Sequence, residues 1–142
     1  YIFNNVIMTI YNIKNISVAA EEEKYKGSFE GDVHFIMGPL SIYQFNAFAD
    51  HGLCAVRLFQ YIRTKQGLVY GSRAEFKGKD TSHKWIYIDN KNLYNWFGLH
   101  QPTKWKLLKE LSDPKVGLLE YQKRGSGRMP LVRIKAPKKK LN

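Results

Sequence analysis

The sequence has little cysteine, few acidic residues and no long apolar run, and each shortage excludes a class of protein. The single cysteine, Cys54, excludes an internal disulfide framework and any site built from several thiolates. Because no stretch of about 18 apolar residues occurs, we expect no transmembrane helix. The remaining composition, with 44% hydrophobic residues, is that of a globular chain, and 142 residues suffice for one domain with arms.

The first 16 residues are apolar but are interrupted by asparagines and by Lys14. They have no basic start and no small-residue cleavage site, which argues against a secretory signal. Since the chain begins at Tyr1, two interpretations stay open for residues 1–7. They are the edge of a fragment, or a misplaced start with Met8 as the initiator.

Basic residues outnumber acidic ones by 23 to 12, and the excess lies in one region. Residues 1–50 carry a net charge of −3, whereas residues 51–142 carry +14 and residues 100–142 alone carry +9. A basic excess confined to one region indicates a polyanionic partner, either nucleic acid or an anionic membrane surface. A solvated surface without a partner is the alternative that charge alone leaves open.

Apolar spacing and cap residues predict two helices near the start of a compact domain. Ser41 is placed to cap a short helix, and a second helix is predicted from Leu53 to Gln66, ended by Gly67. The apolar face of the first helix is predicted to be Ile42, Phe45 and Phe48 or Ala49. The buried stripe of the second is predicted to be Leu53, Val56, Leu58 or Phe59, and Ile62. The residues predicted to face solvent on the second helix are Arg57, Arg63 and Lys65.

The next segment predicts a strand, two helices and a hairpin. Residues 85–88 form a short β segment, and Asp89 or Asn90 caps a helix over residues 91–97 that Gly98 ends in a left-handed conformation. Pro102 suits the first turn of a further helix that runs to about Leu111. Two strand-like runs, 118–124 and 128–135, are joined by a short glycine-rich loop at 125–127.

The order helix, helix, short strand, helix, tight turn, helix and hairpin matches a winged helix-turn-helix. Two stretches carry the likeness: NKNLYNWFGLHQPTKWKLLKEL at 90–111 and GLLEYQKRGSGRMPLVRI at 117–134. From about Gly38 to Ile134 the chain resembles small bacterial winged-helix proteins, broadly the MarR-type transcription regulators. The resemblance implies a mainly α fold with a small antiparallel β-hairpin, that is, a three-helix core plus a wing.

Three regions follow from this interpretation. Residues 1–35 are predicted to be an N-terminal arm, either a strand or partly disordered. Residues 36–135 are predicted to be the winged-helix domain, and residues 136–142 a basic tail. The lysines at 138–140 would add phosphate contacts or serve only as a solubilising end.

Winged-helix proteins place a recognition helix in the major groove and a basic wing on the backbone or in the minor groove. Gln101 is suited to adenine, Lys106 to guanine, and Thr103 to a phosphate or a thymine methyl. Glu110 either accepts from cytosine or pairs with Lys106. The residues predicted to bind DNA are Gln101, Thr103, Lys104, Lys106, Lys109, Lys123, Arg124, Ser126 and Arg128.

The sequence gives little support for single-strand binding, metal binding or catalysis. The aromatic residues, Trp105 among them, could serve as stacking platforms for single strands, but their helical spacing favours core packing. The four histidines are scattered without metal-ligand spacing, and no convergent polar site is apparent. We therefore predict a protein that is not an enzyme and that uses neither a metal nor a cofactor.

The sequence thus predicts a cytoplasmic, nucleoid-associated bacterial protein whose partner is double-stranded DNA and not a membrane. A transcription regulator is the simplest role. A replication initiator of the plasmid or phage type, and a winged helix used for protein–protein interaction, stay as alternatives. A homodimer is also open, in which residues 1–18 would pair as exchanged strands.

Overall fold

A computed structural model describes residues 41–71, 73–125 and 127–140, which belong to a compact unit of residues 33–142. The predicted arm at 1–35, with its exchanged strands, lies outside the described residues, as does Ser126. The helices are α1 (Ile42–Ala49), α2 (Leu53–Tyr70), α3 (Asn90–Phe97) and α4 (Gln101–Leu111), with a 3-10 turn at Ala74–Phe76. The strands are β1 (Ile86–Tyr87), β2 (Leu119–Gln122) and β3 (Leu131–Ile134). The described chain is therefore mainly helical, with a small antiparallel sheet, as predicted.

Local signals in the sequence place the helix ends. The Ser41 hydroxyl accepts a hydrogen bond from the backbone N–H of Gln44 at 3.2 Å and caps α1. The Asp89 carboxylate accepts from the N–H of Lys91 at 2.8 Å and caps α3. Gly98, at φ 70°, ends α3 in the left-handed conformation that favours glycine. These caps confirm the predicted boundaries of α1 and α3.

The sheet has three strands in the order β1-β3-β2, and both pairs are antiparallel. Leu119 lies opposite Ile134 and Tyr121 opposite Val132, so these four residues share one face of the hairpin. Strand β1 adds Ile86 opposite Val132 on the other edge of β3. The short β segment that precedes α3 is thereby joined to the hairpin that follows α4.

The core surrounds α2. Leu58, Phe59 and Ile62 of this helix are fully buried, and the rings of Phe48 and Phe59 stack with centroids 4.7 Å apart. Apolar residues from the other helices and from the sheet close the core: Leu93, Leu108, Leu111, Val132 and Ile134. Each such side chain contributes roughly 1.5–3 kcal/mol by leaving water.

Two predictions about the length of elements were wrong. Helix α2 does not end at Gly67 but continues to Tyr70, with Gly71 as its cap. Gly67, inside the helix, costs about 1 kcal/mol of helix stability. The burial of Tyr70 in the last turn offsets this cost, since Tyr70 is 1% exposed and its hydroxyl donates to the Trp85 carbonyl at 2.6 Å. The hairpin loop is longer than predicted and spans residues 123–130, since the strands stop at Gln122 and resume at Leu131.

The predicted faces of α1 and α2 also need correction. Ile42 and Leu53, predicted to be buried, are 79% and 63% exposed. Arg63 and Lys65, predicted to face solvent, are each 5% exposed. Lys65 is covered by the segment 82–92, where its ammonium donates to Oδ1 of Asn92 at 3.3 Å. The guanidinium of Arg63 donates to Oε1 of Gln66 at 2.7 Å on the same helix.

Polar side chains of α2 bind the backbone of that segment. The Gln66 amide donates to the carbonyls of Ser82 and Lys84, both at 2.9 Å. The Tyr61 hydroxyl accepts from the N–H of Asp89 at 3.1 Å. Buried carbonyls and N–H groups need partners of this kind. The polar side of α2 therefore fixes the path of the chain into α3.

Candidate nucleic-acid interface

Helix α4 is held at both ends and presents a polar side to solvent. It follows α3 after a turn of three residues, in which Leu99 is buried and His100 takes the N-cap position. Leu107, Leu108 and Leu111 face the core. Gln101, Lys106 and Lys109 are exposed.

The structure sorts the predicted DNA-binding residues by exposure. Those that are exposed are Gln101, Lys106, Lys109, Lys123 and Arg128. Thr103 and Arg124 are half-buried, and Lys104 is buried. Ser126 lies outside the described residues. The exposed members come from two elements, α4 and the hairpin loop.

Lys104, which is predicted to bind DNA, is the buried member of that set among the described residues. It is 2% exposed, and its ammonium donates to Oδ1 of Asn90 at 2.6 Å. Burial lowers the pKa of Lys104 from its ordinary value. Because Lys104 shares the face of Leu107, Leu108 and Leu111, its stem is packed with theirs and its ammonium joins the start of α3. This lysine braces the two helices instead of projecting into solvent.

Glu110 has a partner within the fold that the sequence analysis did not name, and its contact with cytosine stays a prediction. Its carboxylate lies 3.4 Å from Nδ1 of His51, in the turn between α1 and α2. The pair is surface-exposed and contributes little to stability. Glu110 lies in the last turn of α4, and residues 101–109 contain no carboxylate.

The hairpin is joined to α4 through Trp105. The Trp105 ring meets the Tyr121 ring edge to face, with centroids 6.3 Å apart. The ammonium of Lys123 lies 5.5 Å from the Trp105 ring centroid, and that of Lys104 lies 4.4 Å from it. The start of α4 and the base of the hairpin loop therefore lie on the same side of the molecule.

Arg124 has a role within the loop. Its Nε donates to the Met129 carbonyl at 3.0 Å, which closes the loop across five residues. Gly125 and Gly127 adopt φ values of 92° and 74°, which a side-chain-bearing residue rarely takes. Arg124 thus shapes the loop, while Lys123 and Arg128 remain exposed on it.

A cleft of about 300 Å³ lies between α4 and the hairpin loop. One wall is the start of α4, with Gln101, Lys104 and Trp105. A second wall is formed by Ile88, which follows β1, and by Asn90, the first residue of α3. The third wall is the hairpin loop: Lys123, Gly125, Gly127, Arg128, Met129 and Pro130. This arrangement of three separate sequence regions around one space could not be predicted from the sequence.

The start of the basic tail is anchored. The Gln44 amide donates to the Ala136 carbonyl at 2.7 Å, and the Ser41 hydroxyl donates to the Lys138 carbonyl. The Lys138 ammonium pairs with Asp80. Lys138, Lys139 and Lys140 are all exposed, and Lys138 is the one of these three for which the described structure shows an ion pair.

Within the described ranges, no group of three or more His, Cys, Asp or Glu side chains could hold a metal ion. None of the described helices combines the length and the hydropathy needed to cross a bilayer. No family model matches this chain, and searches of curated proteins and of solved structures returned no match.

Proposed function

We propose that residues 36–135 form a winged helix-turn-helix domain that binds double-stranded DNA in a sequence-dependent manner, as a bacterial transcription regulator does. The order of the elements supports this proposal. Helix α2 is followed by β1, α3, a tight turn, α4 and the β2–β3 hairpin, and β3 lies between the other two strands. In this arrangement α3 is the positioning helix, α4 the recognition helix and residues 123–130 the wing.

The distribution of charge supports the same role. Lys106 and Lys109 are exposed on α4, and Lys123 and Arg128 are exposed on the hairpin loop. Duplex DNA attracts such a surface through its phosphates, and this attraction weakens as salt rises. Phosphate contacts position a protein on the duplex, whereas contacts to base edges provide sequence preference.

The observation that carries the proposal is the contact of Trp105 with Tyr121 and Lys123. It brings the cations of the loop beside the first turns of α4. A protein in this position can insert the start of a helix into the major groove while the loop contacts the neighbouring backbone. Gln101 and Lys106 would then meet base edges, and Thr103 a phosphate. This mode of binding needs no cofactor.

Selection of bound fragments from a random duplex library, performed with the full chain at two salt concentrations, tests the proposal. We expect one short motif to be enriched at both concentrations. Binding that is equal for all sequences would contradict sequence reading and leave only attraction to polyanions. An absence of binding would overturn the DNA proposal and favour a role in protein–protein interaction.

A matched pair of variants sharpens the selection. Lys106→Glu combined with Arg128→Glu should abolish enrichment, because both exposed cations would repel the duplex. Lys115→Glu is the control, since Lys115 is exposed in the turn after α4 and lines no part of the cleft. The enriched motif can then be located in a genome. Occurrence at promoters favours a regulator, and occurrence as repeated sites at an origin favours a replication initiator.

A further inference from the structure

We propose that the cleft between α4 and the hairpin loop binds a single unpaired nucleotide, with the base against Trp105 and the 5′-phosphate between Lys123 and Arg128. The proposal goes beyond the duplex-binding role, because the ligand is one unpaired nucleotide, although Gln101, Lys123 and Arg128 belong to both surfaces. It also stands separately, since a nucleotide can enter the cleft whether or not the protein binds duplex DNA.

The size of the cleft limits the ligand. Its volume of about 300 Å³ lies at the lower end of the range of small-molecule sites, roughly 300–1,000 Å³. The cleft therefore accommodates one small molecule and not an extended strand.

The charge of the cleft selects an anion. Lys104, Lys123 and Arg128 line it, and none of its described lining residues is acidic. Lys104 is already hydrogen-bonded to Asn90, whereas Lys123 and Arg128 are exposed at the loop. A phosphate is an anion that lysine and arginine side chains bind through charge-assisted hydrogen bonds.

The apolar lining selects a planar ring. Trp105 is half-buried and borders the cleft together with Ile88, Met129 and Pro130. An indole ring with nearby cations is the surface on which nucleobases stack, and this stacking tolerates any base. The exposed amides of Asn90 and Gln101 supply hydrogen-bonding groups for a base edge.

The base must be unpaired. Stacking on Trp105 requires a free face of the base, and a base inside a duplex has both faces covered by its neighbours. The shared ligand chemistry is thus a nucleoside 5′-phosphate, whose source is either a free nucleotide or an overhanging nucleotide of a DNA strand.

Calorimetric titration of the full chain tests the proposal. The probes are deoxyadenosine 5′-monophosphate, deoxyadenosine, a blunt duplex of about two helical turns, and the same duplex with one 5′-phosphorylated overhanging nucleotide. We expect the monophosphate to bind more tightly than the nucleoside. Trp105→Ala and the double variant Lys123→Ala/Arg128→Ala should each weaken monophosphate binding by about tenfold or more.

Three further variants keep the test interpretable. Trp105→Phe retains an aromatic ring and should keep most of the affinity even if Trp105→Ala fails to fold. Lys115→Ala should bind as the unchanged chain does. Lys106→Ala, on the exposed side of α4, should weaken blunt duplex without changing monophosphate binding.

The outcomes are separable. Tighter binding of the overhanging duplex than of the blunt one supports the proposal with a strand end as the source. Binding of the monophosphate without a preference for the overhang supports it with a free nucleotide as the source. If the monophosphate does not bind and the overhang adds nothing, the proposal is overturned, even where the blunt duplex binds. If the blunt duplex fails to bind but the monophosphate binds, only the duplex-binding function fails.

Discussion

The ammonium of Lys104 donates a hydrogen bond to Oδ1 of Asn90 at 2.6 Å, which ties the first turn of α4 to the first residue of α3. The two residues are 14 positions apart and belong to different helices. This bond fixes the relative position of the helices that the proposed function assigns to positioning and recognition. Lys104 therefore has a different environment from Lys106, which lies on the same helix but is exposed to solvent.

We predict that substitutions at these two lysines change the stability of the fold by very different amounts. Lys104→Ala should destabilise the fold by about 2 kcal/mol or more, because it removes a buried stem and a charged hydrogen bond. Lys106→Ala should change stability by less than about 0.5 kcal/mol, because an exposed helical side chain is lost. Urea unfolding of the two variants measures the difference. Equal losses in both would show that Lys104 is not the brace described above.

Lys106 is also expected to read a base. Lys106→Ala should cost about 1–3 kcal/mol on the preferred site and much less on random duplex. The measurement is a pair of titrations at one salt concentration, with Lys115→Ala as the control. A uniform loss on all sequences would mean that Lys106 contacts only phosphate.

The wing cations are expected to contact phosphate and not bases. Lys123→Ala with Arg128→Ala should weaken binding to every duplex and lower the slope of log affinity against log salt by up to about 0.9 for each phosphate released. Arg124 is left unchanged because its Nε binds the Met129 carbonyl and shapes the loop. An unaltered salt slope would exclude a phosphate role for these two residues.

The helix ends and the turn before α4 could be predicted because their signals are local. Ser41, Asp89 and Gly98 act on backbone groups within a few positions, so a sequence window contains both partners. The buried face of α2 could not be predicted in this way, because the ammonium of Lys65 is buried against Asn92, 27 positions along the chain. A sequence window around α2 does not contain that partner.

The candidate site likewise has features that the local sequence predicts and features that depend on long-range packing. The exposed lysines of α4 followed from helical periodicity, and the glycine-rich loop predicted a hairpin. The Lys104–Asn90 bond and the cleft between α4 and the loop depend on the packing of Trp105 against Tyr121. Long-range contacts of this kind leave no spacing in the sequence by which they could be recognised.

The burial of Lys65 should make the free energy of unfolding depend on pH, and one substitution should remove this dependence. Lys65 is 5% exposed, and its ammonium donates to Oδ1 of Asn92 at 3.3 Å. Burial lowers the pKa of this lysine to about 8, against the opposing effect of the Asp89 carboxylate. Below about pH 8 the folded and unfolded chains both carry this proton, so the cost of burying the charge is present in full. As the pH rises from about 8 to about 10.5, the folded chain releases the proton while the unfolded chain retains it, and stability rises.

Lys65→Met keeps the length of the side chain and removes the titration. At 1.36 kcal/mol per pKa unit, the unfolding free energy of the unchanged chain should gain about 3 kcal/mol relative to the variant across that pH interval. Urea unfolding of both proteins at several pH values measures this difference, in which the titration of tyrosines cancels because both chains contain them. Lys115→Met, an exposed lysine, is the matched control. Parallel pH profiles for the unchanged chain and Lys65→Met would show that the lysine remains charged in the folded protein throughout the interval, and that the polar side of α2 holds it at no electrostatic cost.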